Sequence, residues 1–204
     1  MMLYDSANPA PNPRRVRIFL NEKGLEVPRQ EVSITKREQK APAYLAVNPL
    51  GQTPALSLDD GTDIAESVAI CRYFEALQSE PPLFGVSAVE QALVEMWTRR
   101  IELRLMVPVG RVWVHVHPFT ARLPMQRFPD YGETQRARAL AVLAEFDELM
   151  PHGAWLAGER YSMADIVLLS VIDFAAFVGI AMPAELDRLA NWHARASARP
   201  SAQA

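Results

Sequence analysis

The stretch Asn48 to Ile70, NPLGQTPALSLDDGTDIAESVAI, decides how this chain reads. It holds a turn at Asn48-Pro49, a Thr53-Pro54 pair entering an apolar strand, a second turn at Asp60-Gly61, and Glu66-Ser67 opening a helix. Proline cannot donate to a sheet ladder, so Pro54 just before Ala55, Leu56 and Leu58 needs a reason. A cis X-Pro bond is one, because it turns the preceding residue's backbone outward as a free hydrogen-bonding edge. The unpaired N–H groups at the start of the Ser67 helix form a site for a small carboxylate. Together these features would grip a short peptide.

Outward from this stretch, residues 2–77 alternate short elements. Strands are expected at Met2–Asp5, Glu31–Ile34, Ala55–Leu58 and Thr62–Ile64. Helices are expected at Pro13–Lys23, Ala43–Ala46 and Glu66–Leu77. The order βαβ, α, ββα is that of a thioredoxin-like domain. QSEPPLFG, residues 78–85, has the Pro and Gly content of a linker. Beyond it the pattern becomes long amphipathic helices. Ser87-x-x-Glu90 reads as a capping box for a helix toward His117, bent at Pro108 where a backbone bond is lost. A second helix spans about Tyr131–Met150. A third opens at Ser162-Met163-Ala164-Asp165, where Ser and Asp satisfy each other's terminal N–H groups and Tyr161 can pack on Ile166. The tail from Ala194 to Ala204 is expected to fray.

Composition narrows the function classes. Of 204 residues, 50% are apolar and 22% charged, which describes a folded protein and not a disordered one. A formal charge of −3 without Lys/Arg runs argues against nucleic acid as a partner. No apolar run approaches a membrane span and no basic-then-apolar leader opens the chain, so a cytoplasmic protein is expected. The single cysteine, Cys71, excludes an internal disulfide or a Cys-x-x-Cys pair and reads as a buried thiol. His115 and His117 point to different sides of a helix, and His152 and His193 lack ligand spacing, so no metal is implied. Nucleotide signatures are likewise missing from the sequence.

The sequence Asn-Pro, Gly, Thr-Pro, strand, Asp-Gly, Glu-Ser resembles the glutathione-binding half of the soluble glutathione transferases, and the rest of the chain is similar to that family over nearly its whole length. The turn Leu156-Ala157-Gly158 before the Ser162 helix is part of the likeness. The resemblance implies an α/β thioredoxin-like N-terminal domain at 1–78, a linker at 79–86, and an all-α helical domain at 87–204 that forms the co-substrate pocket. It also implies glutathione as co-substrate and a homodimer. Thr53 before cis Pro54 would pair with the cysteinyl backbone of glutathione. Glu66 would take the γ-glutamyl ammonium, and Ser67 with the helix N–H groups its carboxylate. Gln39 or Lys40 in the loop Lys36–Lys40 would hold the glycyl carboxylate. The co-substrate pocket would draw on the first long helix, with Arg104, Arg111 and Trp113 as candidates. Arg100 and Arg104, four apart, share a helix face that could meet acidic substrates.

One departure from the family pattern stands out. Where several classes carry a catalytic Ser or Cys, this chain has Ala10, which excludes mixed-disulfide chemistry at that position. Pro11-Asn12 followed by basic residues resembles bacterial members whose Asn contacts the sulfur, which maps onto Asn12. Its amide can donate to a thiolate. Asn12 also suits the role of helix cap with Pro13 in the first turn, and both readings stand. Ser6 and Asn8 are weaker candidates, and Tyr4 is expected to pack inside its strand. The implied reaction is attack of the glutathione thiolate on a small electrophile. Glutathione-dependent reduction of disulfides or peroxides at the same site, or a non-catalytic binding module, are the alternatives.

Overall fold

A computed structural model describes residues 1–123 and 125–204, which group into two units: Met1–Phe84 with Pro200–Ala204, and Gly85–Arg199. In the first unit, β1 (Met2–Asp5), α1 (Pro11–Lys23) and β2 (Arg29–Glu31) form a βαβ motif with β1 and β2 parallel. After α2 (Pro42–Val47) come β3 (Ala55–Ser57), β4 (Asp63–Ala65) and α3 (Ser67–Leu77). The sheet order is β2-β1-β3-β4, with β3 antiparallel to both its neighbours. This is the expected thioredoxin-like unit. Leu3 and Leu56 face each other in register and are fully buried, as are Val16, Ile18 and Phe19 of α1.

Two boundaries fall earlier than the sequence predicts. The first helix starts at Pro11, with Ala10 as its N-cap, and not at Pro13. Strand β2 ends at Glu31 where the prediction begins, and all three of its residues are exposed. Both shifts have a local cause. Proline fits the first helical turn at either position, and an exposed edge strand carries no apolar alternation to reveal it.

The second unit is helical: α4 (Ala88–Arg100), α5 (Val107–His115), α6 (Pro129–Leu149), α7 (Met163–Phe177) and α8 (Asp187–Ser197). The Ser87/Glu90 capping box forms as expected, with Glu90 N donating to Ser87 Oγ at 3.2 Å and Ser87 N to Glu90 Oε2 at 3.1 Å. Pro108 has no N–H and its ring crowds the carbonyl four residues back. The chain meets this with a π-helical turn over Ile101–Met106, between α4 and α5. Helix α6 lies so close to α5 that a Cβ on Gly132 would come within 2.3 Å of Val116 Cγ2, so glycine is required there. Helix α7 is buried almost all round, from Met163 to Ile172. Among the described residues, no helix is long and apolar enough to cross a membrane.

The expected frayed tail is instead ordered. Helix α8 runs to Ser197, and Pro200–Gln203 form a 3-10 turn belonging to the first unit. Ser201 and Ala202 are buried there. Ser201 Oγ donates to Glu22, and Arg14 Nη2 donates to the Ala202 carbonyl at 2.8 Å.

Candidate active site

The Thr53–Pro54 bond is cis. Strand β3 begins only at Ala55, whose partner is Tyr4. Thr53 therefore stands two residues before the ladder, and among the described residues nothing hydrogen-bonds its main-chain N–H or C=O. Its hydroxyl is engaged: Ser6 Oγ donates to the Val32 carbonyl at 2.8 Å and shares a 2.8 Å hydrogen bond with Thr53 Oγ1. This occupies Ser6 in fixing the loop after β1. Asn8 Oδ1 accepts from Arg17, and Tyr4 packs edge-on against Tyr44, so neither is poised for chemistry.

Glu66 is exposed, at φ 68° and ψ 120°, a left-handed position that a residue with a Cβ adopts only when its surroundings enforce it. Such strain gathers at binding sites. Glu66 is the N-cap of α3, but no side chain caps the helix and its first turn carries no acid. The leading N–H groups of α3 are thus left for an anion from elsewhere. Ser67 is buried, and its Oγ accepts from Arg15 Nη1 at 3.5 Å. Arg15, 2% exposed, adds a buried positive charge beneath that helix mouth. The sequence reading missed this, since an arginine pair in a polar loop-to-helix junction reads as surface.

Asn12 is the second residue of α1, not its cap. Its Oδ1 is buried and meets no donor among the described residues. Gln39, in a 3-10 turn over Glu38–Lys40, likewise has a buried Oε1 without a donor. Lys40, expected to take a ligand carboxylate, instead donates from Nζ to the Leu50 carbonyl at 3.0 Å. This turn presses on Gly51, where a Cβ would lie 2.7 Å from both Gln39 O and Lys40 Nζ at φ 58°. Cys71 is fully buried and burial pushes its thiol pKa up, so it is an inert core residue as expected.

In the second unit Arg100 lies 5.1 Å from the Trp97 ring centroid, and Arg104 pairs with Glu145 of α6. Arg111 is exposed on α5. Trp113 is half-buried in an aromatic group, stacked on Phe119 at 5.5 Å and 4.6 Å from His117. Burial lowers the His117 pKa from its ordinary value.

A four-stranded thioredoxin-like sheet followed by an all-helical unit defines the class of fold. Residues 10–77 match the family described as glutathione S-transferase, N-terminal domain, and residues 115–200 its C-terminal domain. Glutathione S-transferase 2 of Saccharomyces cerevisiae is 38% identical over 98% of this chain and 87% of that protein. A crystal structure of a glutathione S-transferase domain-containing protein from Marinobacter aquaeolei superposes with a TM-score of 0.92 at 37% identity, over 98% of this chain and 99% of that one. Gtt2 from Saccharomyces cerevisiae does so with a TM-score of 0.92 at 36% identity, over 100% and 99%. The chain belongs to the glutathione S-transferase family and is an enzyme of that kind.

Proposed function

We propose that this enzyme joins the glutathione thiolate to an electrophilic carbon of a small molecule. The observation that carries the reading is the unpaired main chain of Thr53 beside the uncapped mouth of α3 at Glu66-Ser67. The cysteinyl backbone of glutathione docks on Thr53 against Pro54, in the manner of an added strand. The γ-glutamyl carboxylate takes the α3 N–H groups and the Ser67 hydroxyl, with the Arg15 charge below, and the ammonium takes Glu66. Gln39 faces the glycyl end. Lys40 serves there by holding the loop through Leu50. Asn12 and the first turn of α1 stabilise the sulfur anion.

In the reaction the thiol proton leaves to solvent, a sulfur–carbon bond forms, and the leaving group departs with its electron pair. Arg111 and Trp113 are the residues assigned to the electrophile; Arg104 is held by Glu145. The working form is a cytoplasmic homodimer.

Glu66→Ala is expected to weaken glutathione binding roughly tenfold, the scale of one charge-assisted hydrogen bond. Calorimetry reads this directly, and a variant binding as tightly as the parent removes Glu66 from the site. Turnover of a chlorinated aromatic should exceed that of a hydroxyalkyl disulfide. The reverse order makes the enzyme a glutathione-dependent reductase. Absence of both binding heat and thiolate absorbance on mixing makes the chain a non-catalytic module.

A further inference from the structure

The segment that leads into Thr53 is held by an arrangement that the fold alone does not demand. Tyr44 lies in α2 and Asn48, four residues on, caps its C-terminal end. Both are buried, and both aim a donor at one acceptor: Tyr44 Oη lies 2.6 Å and Asn48 Nδ2 2.7 Å from the Gln52 carbonyl oxygen. A carbonyl oxygen has two lone pairs, so this one is fully used. The Asn48 amide is fixed in turn, because its Oδ1 accepts from Leu50 N at 3.2 Å. That leaves Nδ2 as the end facing Gln52. Lys40 adds a third tie to the same segment through Leu50 O.

The consequence lies in the next atom pair. A trans peptide is planar, and its C=O and N–H point in opposite directions. The Gln52–Thr53 bond is not among the cis bonds of the chain. With the Gln52 carbonyl pinned toward α2, the Thr53 N–H must point away from it, and no protein group accepts from that N–H among the described residues. We propose that Tyr44 and Asn48 are positioning residues of the glutathione site: by pinning the Gln52 carbonyl they aim the Thr53 N–H at the cysteinyl carbonyl of bound glutathione. This rests on the docking mode proposed above. Burial pushes the Tyr44 pKa up to about 12, so the phenol keeps its proton and remains a donor through the working pH range.

Tyr44→Phe removes the donor and keeps the ring that packs edge-on against Tyr4 at 5.7 Å. Asn48→Asp keeps the acceptor for Leu50 N and removes the donor to Gln52. Calorimetry on the full chain would compare glutathione with an analogue whose cysteinyl carbonyl is replaced by methylene. The parent should bind the analogue about tenfold more weakly than glutathione. Each variant should lose roughly fivefold for glutathione and nothing for the analogue, because the hydrogen bond being positioned is absent from it. Thermal melting confirms that a variant is folded, and either variant alone suffices if the other is not.

Equal losses for both ligands, or no loss for glutathione, would show that the pair only ties down the loop. If the parent binds glutathione and analogue equally, Thr53 does not meet that carbonyl. If the parent binds no glutathione, the docking mode itself falls. These last two outcomes are read on the parent and so stand apart from failure of the positioning role.

Discussion

Asp165→Ala is expected to destabilise the helical unit by about 3–5 kcal/mol, the largest stability effect of any single substitution considered for this chain. The carboxylate is completely buried at the start of α7 and accepts four hydrogen bonds. Oδ1 takes Leu156 N at 3.1 Å and Trp192 Nε1 at 2.8 Å; Oδ2 takes Ser162 N at 3.0 Å and Ser162 Oγ at 2.9 Å. Alanine leaves buried donors on three separate segments without an acceptor, and each costs its full desolvation. Burial pushes the Asp165 pKa above the ordinary carboxylate value, while the four donors restrain the rise. Asp165→Asn keeps one oxygen for Leu156 and Trp192 and turns an amide toward Ser162, so its loss should be smaller than that of alanine. Urea unfolding followed by far-UV circular dichroism measures both, as a lowered midpoint at unchanged slope. An unfolding free energy for Asp165→Ala within about 1 kcal/mol of the parent would mean that water replaces the carboxylate without penalty.

What the sequence made legible is chemistry that acts within a few residues. The Asp60-Gly61 turn, the Ser87/Glu90 box and the Ser162/Asp165 pair each satisfy their backbone groups locally, so residue type and spacing suffice to find them. The thioredoxin-like order followed from the same local signals taken in series. Elements whose ends carry no distinctive local signal were misplaced. Ala10 offers no side chain to announce an N-cap, and three prolines at 9, 11 and 13 compete for the first turn. The run Val32 to Ile34 looked more strand-like than Arg29 to Glu31, although only Val32 of that run is buried. The tail reads as disordered until Glu22 and Arg14 supply its partners. In the candidate site, Thr53, Glu66 and Ser67 could be picked out because turn and helix-start residues mark them. Arg15 and Tyr44 could not, since a buried hydroxyl 52 residues away or a main-chain carbonyl 8 away leaves no trace in the local pattern, and Asn48, four residues from the same carbonyl, reads only as a turn residue.

For the chemical step, Asn12→Ala should lower kcat/KM at pH 7 by up to about 30-fold, the factor by which thiolate falls when the thiol pKa returns to about 8.5. The proposed role is open to Asn12 because it sits inside the first turn of α1 and not at the cap. A donor to the sulfur favours the thiolate and lowers the thiol pKa from its ordinary value near 8.5. Removing the donor raises that pKa again, so the acid limb of the kcat/KM profile should move to higher pH. Above the ordinary thiol value the sulfur is ionised without help, and the variant should recover most of the parent's rate. Affinity for an S-methylated glutathione, which has no thiolate to stabilise, should be unchanged, and this separates action on sulfur from damage to the fold. A variant whose acid limb stays in place while its melting temperature drops would reduce Asn12 to a helix residue. The sulfur anion would then depend on the main-chain N–H of Asn12, because Pro11 and Pro13 have none and Arg14 N donates to the Ala10 carbonyl.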